Sequence, residues 1–132
     1  MKRLSLLVII FLAAAVTVLG CAKGYESERP AGDLRVILKA DRYPLVKGDN
    51  AVTVKITDTA GKPVTNADVN VRYYMPPMPG MPPMDYNAHA VQKGDVYVIT
   101  ANIPMEGGWK FEVSVAEPGK PSAAATFNLD SR

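Results

Sequence analysis

The 132-residue chain is 48% hydrophobic and 21% charged, with a formal net charge of +2, one cysteine and one histidine. No run of Lys or Arg exceeds two residues and aromatics do not alternate with basic residues, so no nucleic-acid partner is expected. Cys/His or Ser/His/Asp catalysis would hang on single residues and no Gly-rich phosphate loop occurs, so an enzyme is not expected either.

Met1-Lys2-Arg3 is a short basic start, and residues 4–19 are apolar apart from Ser5 and Thr17. These sixteen residues fall short of the roughly 20 that span a bilayer as a helix, and the pattern reads as a secretory signal. The apolar stretch runs into Val18-Leu19-Gly20-Cys21, which resembles the lipobox of bacterial lipoproteins: a small residue before a cysteine that becomes lipidated. The expectation is a signal peptide over 1–20 and a mature chain held by a lipid on Cys21 to a bacterial membrane, facing the periplasm or the cell exterior. The competing reading is an uncleaved apolar anchor with an incidental cysteine. Loss of Lys2 and Arg3 would leave thirteen basic against thirteen acidic residues, and a lipidated Cys21 leaves no thiol for a disulfide. Residues 22–32 are polar, carry Pro and Gly, and read as a flexible tether about 20 Å long. The expected organisation is therefore a signal peptide over 1–20, a lipidated tether over 21–32, and one domain over 33–132, monomeric.

Within that domain a period of two dominates. Leu34, Val36 and Leu38 alternate with Arg35, Ile37 and Lys39; Val52, Val54 and Ile56 alternate with Thr53, Lys55 and Thr57. Val69, Val71 and Tyr73 repeat the pattern, a weaker strand is expected over 86–92, and 96–101 is β-branched. Trp109, Phe111, Val113 and Val115 form the sixth strand, and Ala125, Phe127 and Leu129 the seventh. Turn residues separate them at 58–63, 93–95 and 117–121, and no stretch keeps a helical period for three turns. Seven short strands predict an all-β, single antiparallel β-sandwich, immunoglobulin-like in architecture and without that fold's cysteine pair. If each strand crosses the sandwich once, the loops at 75–85 and 102–108 share one end. Residue 33 then lies at the other end with the lipid, so both loops should fall farthest from the membrane.

Residues 75–84 read Met-Pro-Pro-Met-Pro-Gly-Met-Pro-Pro-Met. Apart from Met1, every methionine is here, at 75, 78, 81 and 84, or in the loop expected alongside it, Met105. Five prolines in ten residues impose polyproline II, whose period of about three sets all four methionines on one edge, roughly 9 Å apart. Metal–sulfur bonds are about 2.3 Å, so neighbours on a straight segment cannot share an ion. Gly80 permits the bend that would bring Met78 and Met81 together. Thioethers are soft ligands suited to Cu(I), and His89, five residues past Met84, adds a candidate imidazole. Met75, Met78, Met81, Met84, His89 and Met105 are thus the candidate copper ligands. Two other readings of the segment stay open. A Pro-rich apolar edge also suits docking on a protein partner, and it also suits covering an open end of the sandwich.

Three pieces of the chain resemble the YtkA-like domains, small exported β-sandwiches related to the FixH proteins of respiratory-oxidase assembly. They are Gly61-Lys62-Pro63-Val64 leading to Ala67-Asp68-Val69, then Met75-Pro76-Pro77-Met78-Pro79-Gly80-Met81, then Gly94-Asp95-Val96-Tyr97 followed by 104–109. The resemblance implies copper handling. Many such domains carry a histidine close to the methionines, where this chain has proline and a more distant His89. The functional expectation is a membrane-anchored copper carrier or assembly factor. The alternative is a metal-free interaction module docking on a membrane protein complex, in oxidase assembly or efflux.

Overall fold

The computed structural model describes residues 24–132. The expected signal peptide over 1–20 and the lipid site Cys21 lie outside the described residues.

The alternating segments fold as anticipated into strands that turn apolar residues inward, and with them the described residues form nine strands. They are β1 (Tyr25–Ala31), β2 (Leu34–Ala40), β3 (Gly48–Thr57), β4 (Asp68–Met75), β5 (Met84–His89), β6 (Val91–Lys93), β7 (Val96–Ile103), β8 (Gly107–Ala116) and β9 (Ala123–Ser131). They form two antiparallel sheets, ordered β1-β2-β3-β7-β6 and β5-β4-β8-β9, and no helix occurs among the described residues. The result is the expected all-β sandwich. Its core lies between the sheets, where Trp109, Tyr97, Phe111, Phe127, Leu38 and Ile56 are all essentially fully buried. Burying such side chains contributes roughly 1.5–3 kcal/mol each, and this term holds the sheets together.

Two differences from the sequence reading matter. The weak strand expected over 86–92 is two strands in different sheets: β5 pairs with β4, and β6 pairs with β7. The chain changes sheet at buried Ala90, whose N–H donates to the Val69 carbonyl at 2.8 Å. The second difference is β1. The tether expected over 22–32 is mostly strand, hydrogen-bonded along β2 from Tyr25 opposite Ala40 to Ala31 opposite Leu34. Backbone pairing and cross-strand charges hold it, with Glu28 against Arg35 at 3.1 Å and Glu26 against Lys39 at 3.5 Å. As an edge strand it tolerates Pro30 and mostly polar side chains.

Strand β1 sets where the chain enters the sandwich. The end of β7 pairs with the start of β3, as Ile103 opposite Gly48, and Ala40 at the end of β2 pairs with Val52 in the same sheet. The 104–106 loop, the end of β2 and Tyr25 therefore share one end. Residue 33, between β1 and β2, lies at the opposite end, as the parity of the strands predicts. The additional strand reverses the rest of that expectation: the described chain starts at the methionine end.

Candidate functional site at the methionine end

The four clustered methionines form one hairpin. Strand β4 ends at Met75 and β5 begins at Met84, and these two residues are cross-strand partners. Partners in such a ladder hold their Cβ atoms about 4.5–5.5 Å apart. Beyond them the proline-rich segment loops outward, and residues 76–83 are all exposed. At its tip the N–H of Met81 donates to the carbonyl of Met78 at 3.1 Å, and Gly80 has φ of 80°. Pro79 and Gly80 are thus the central residues of a type II turn, which requires φ near +80° at its second central position. The turn brings the backbones of Met78 and Met81 within about 7 Å. The hairpin therefore carries two methionine rungs: Met75 with Met84 at the base, and Met78 with Met81 at the tip.

The rungs differ in environment. Met75 is buried, and its side chain packs against Gly107 so closely that a Cβ there would sit 2.9 Å from the Met75 methyl. Met84 is half-buried on the inner face of β5. Met105 is also half-buried against the core. Its carbonyl accepts from the Trp109 indole N–H at 3.1 Å and from the Ser131 hydroxyl at 2.9 Å, which fixes its loop beside the base rung. Met78 and Met81 are 45% and 40% exposed, which leaves their thioethers open to a solute. Three residues of an extended, proline-rich segment carry the tip up to about 9 Å of backbone beyond the base, so the two rungs are successive positions along the hairpin.

His89 does not join them. It closes β5 at the far end, opposite Asn70, five residues from Met84. At about 3.3 Å per residue that is roughly 17 Å. Its Nδ1 lies 3.1 Å from the Asn70 side-chain oxygen and 3.4 Å from the Asp68 carboxylate, on the exposed face of the sheet. The imidazole and the methionines cannot share one metal. Among the described residues no three His, Cys, Asp or Glu side chains gather as a metal-binding group.

An aromatic group beside the base rung was missed in the sequence. Tyr73 stacks on Tyr86 at 5.4 Å and on Phe111 at 5.5 Å, and Tyr86 approaches Trp109 at 6.3 Å. The period of two that links Met84, Tyr86 and Ala88 could have found it, because it matches Met75, Tyr73 and Val71 across the hairpin. On the outer face, the Arg72 guanidinium grips Asp85 with bonds of 2.6 to 3.1 Å and lies 4.1 Å over the Tyr74 ring. The hydrogen bond from Arg72 holds the Asp85 carboxyl below its ordinary range, and Asp85 raises Arg72 in turn. This ion pair clamps the hairpin near the base rung.

The profile of the YtkA-like family matches residues 28–114, from within β1 to within β8 and including the whole methionine hairpin. No curated protein matches the chain. The chain belongs to the YtkA-like family.

Proposed function

We propose that this member of the YtkA-like family is a lipid-anchored, extracytoplasmic binding protein that carries Cu(I) on its methionine hairpin, as a carrier or assembly factor rather than an enzyme. One observation supports this above the others: a turn closed between Met78 and Met81 sets two exposed methionines at its two ends, at the tip of the hairpin. Two sulfurs on one ion stand at most about 4.6 Å apart, a separation the side chains of such a turn can reach. The donor set suits the cargo. Thioether sulfur is soft, needs no deprotonation, and forms no disulfide in an oxidising compartment. Two exposed ligands favour a site that loads and unloads. Met84 and Met105, half-buried below the tip, offer further sulfur for an ion passed inward.

The same exposed tip is uncharged and apolar, which suits the metal-free docking module as the second reading. Replacing Met78 and Met81 by Leu separates the two, because it nearly preserves shape while removing sulfur. Titration of parent and double-Leu protein with Cu(I) against a competing chelator should show loss of binding with an unchanged β-sheet spectrum. Equal affinity in the two proteins, or no affinity in the parent, would leave the docking module as the better account.

A further inference from the structure

We propose that the methionine hairpin lies against the lipid surface, with the 76–83 tip entering the interfacial layer of the membrane that anchors the chain. The proposal rests on the membrane anchor of the proposed function, a lipid on Cys21.

The first support is geometric. Strand β1 begins at Tyr25, at the methionine end. Three residues separate Tyr25 from Cys21, and four steps of fully extended chain reach at most about 14 Å. From Tyr25 the sandwich runs the seven residues of β1 to its other end, about 23 Å. An anchor of that reach cannot set the far end down on the membrane. The methionine end is held close to it. Side-chain contacts tie Tyr25 to that end: its ring lies 5.0 Å from that of Tyr43, the Tyr43 hydroxyl reaches Asp130 at 3.3 Å, and neighbouring Ser131 holds the Met105 carbonyl.

The second support is the chemistry of the tip. Residues 76–83 are all exposed, carry no charge, and comprise five prolines, two methionines and one glycine. Entering a bilayer interface is costly for backbone N–H groups that lose water. Proline has none, and of the three that remain the N–H of Met81 is satisfied within the turn. A loop with so few unmet donors and two flexible apolar side chains can enter the headgroup layer, where its carbonyls stay hydrated. Tyr25 and Tyr43 stand at the same end, and tyrosine favours the headgroup level.

The test uses the full-length anchored protein in protein-free phospholipid vesicles. Met81→Cys and, at the opposite end, Ala60→Cys each receive an environment-sensitive dye. Cys21, once lipidated, takes no label, and incorporation of labelled fatty acid verifies the anchor separately. The dye at 81 should be quenched by a lipid-borne quencher and several-fold less by aqueous iodide than the dye at 60. A dye on Lys47→Cys, at the methionine end but outside the hairpin, controls for insertion driven by the dye itself. Adding Met78→Glu and Met81→Glu should raise iodide access at 47. Equal iodide access at 81 and 60 overturns the proposal while the copper reading stands. Protection at 81 in native membranes but not in protein-free vesicles also overturns it, in favour of a protein occupant. Release of the protein from membranes, with no fatty acid incorporated, removes the anchor and the proposal together.

Discussion

Gly80→Ala is the substitution that most directly couples backbone to binding. Gly80 holds φ of 80° at the second central position of the Met78–Met81 turn, and a Cβ built there meets nothing within 4 Å. The cost of alanine is therefore purely conformational, about 1–2 kcal/mol for an L-residue in the left-handed region. The exposed loop can shed that strain by changing its own conformation. Below it, β4 and β5 are paired over six residues, from Asn70 opposite His89 to Met75 opposite Met84, and Arg72 clamps Asp85 across the strands. The variant should keep its fold, with an unfolding free energy in urea within about 0.5 kcal/mol of the parent's. Its turn should relax to conformers in which Met78 and Met81 diverge. Recovering the paired conformer to bind Cu(I) then costs the strain again, so affinity should fall about 5- to 30-fold. Gly80→Asn should lose less, because Asn tolerates the same backbone region. Competitive Cu(I) titration of the three proteins reads this directly. Parent-like affinity in Gly80→Ala, or an equal loss in Gly80→Asn, would refute the turn as the organiser of the tip pair.

Cu(I) affinity should be the same at pH 7 and pH 5 and unchanged in His89→Asn, because His89 lies at the far end of β5 from the methionines; titration at the two pH values checks this, and a loss at the lower pH that His89→Asn abolishes would signal an imidazole ligand. Asp85→Asn should lower the urea midpoint at pH 7. The folded-state value of Asp85 is depressed by Arg72, so its contribution is present above the unfolded value and lost as pH falls through the folded one. The gap between parent and variant should therefore close below about pH 4, whereas a gap that persisted there would point to a packing effect. Phe111→Ala, at a fully buried site, should cost about 3–5 kcal/mol in urea denaturation, and a loss under 1 kcal/mol would mean that the core is not packed around this ring.

The parts of this fold that were legible in the sequence are those where one face is buried. Val52, Val54 and Ile56 lie within β3 and are fully buried, while the residues between them face outward or half outward. Trp109 through Val115 behave the same way in β8. There the period of two is imposed by the core, and a slip of one residue would turn the whole apolar set to water. The methionine turn was legible for a different reason: Pro79-Gly80 has few backbone options, and the type II turn is one that both residues favour. His89 was misplaced because proximity in sequence says little within a strand. Five residues that would make little more than one turn of helix are about 17 Å of extended chain.

Strand β1 was illegible because nothing in its side chains is required to be apolar. Only Ala31 is buried, and the strand exists because its backbone completes the β2 edge while Glu26 and Glu28 find Lys39 and Arg35. Pro, Gly and charge, read as signs of a flexible tether, are equally the marks of an edge strand protected from further pairing. The consequence is larger than one strand. Ends in a sandwich alternate with each crossing, so adding one crossing before β2 leaves every internal loop where parity put it and moves only the point of entry. Met78 and Met105 keep their shared end, and residue 33 keeps the opposite one. Only the point of entry changes sides. A methionine tip expected at the end opposite the chain's entry stands instead at the end where the first strand begins.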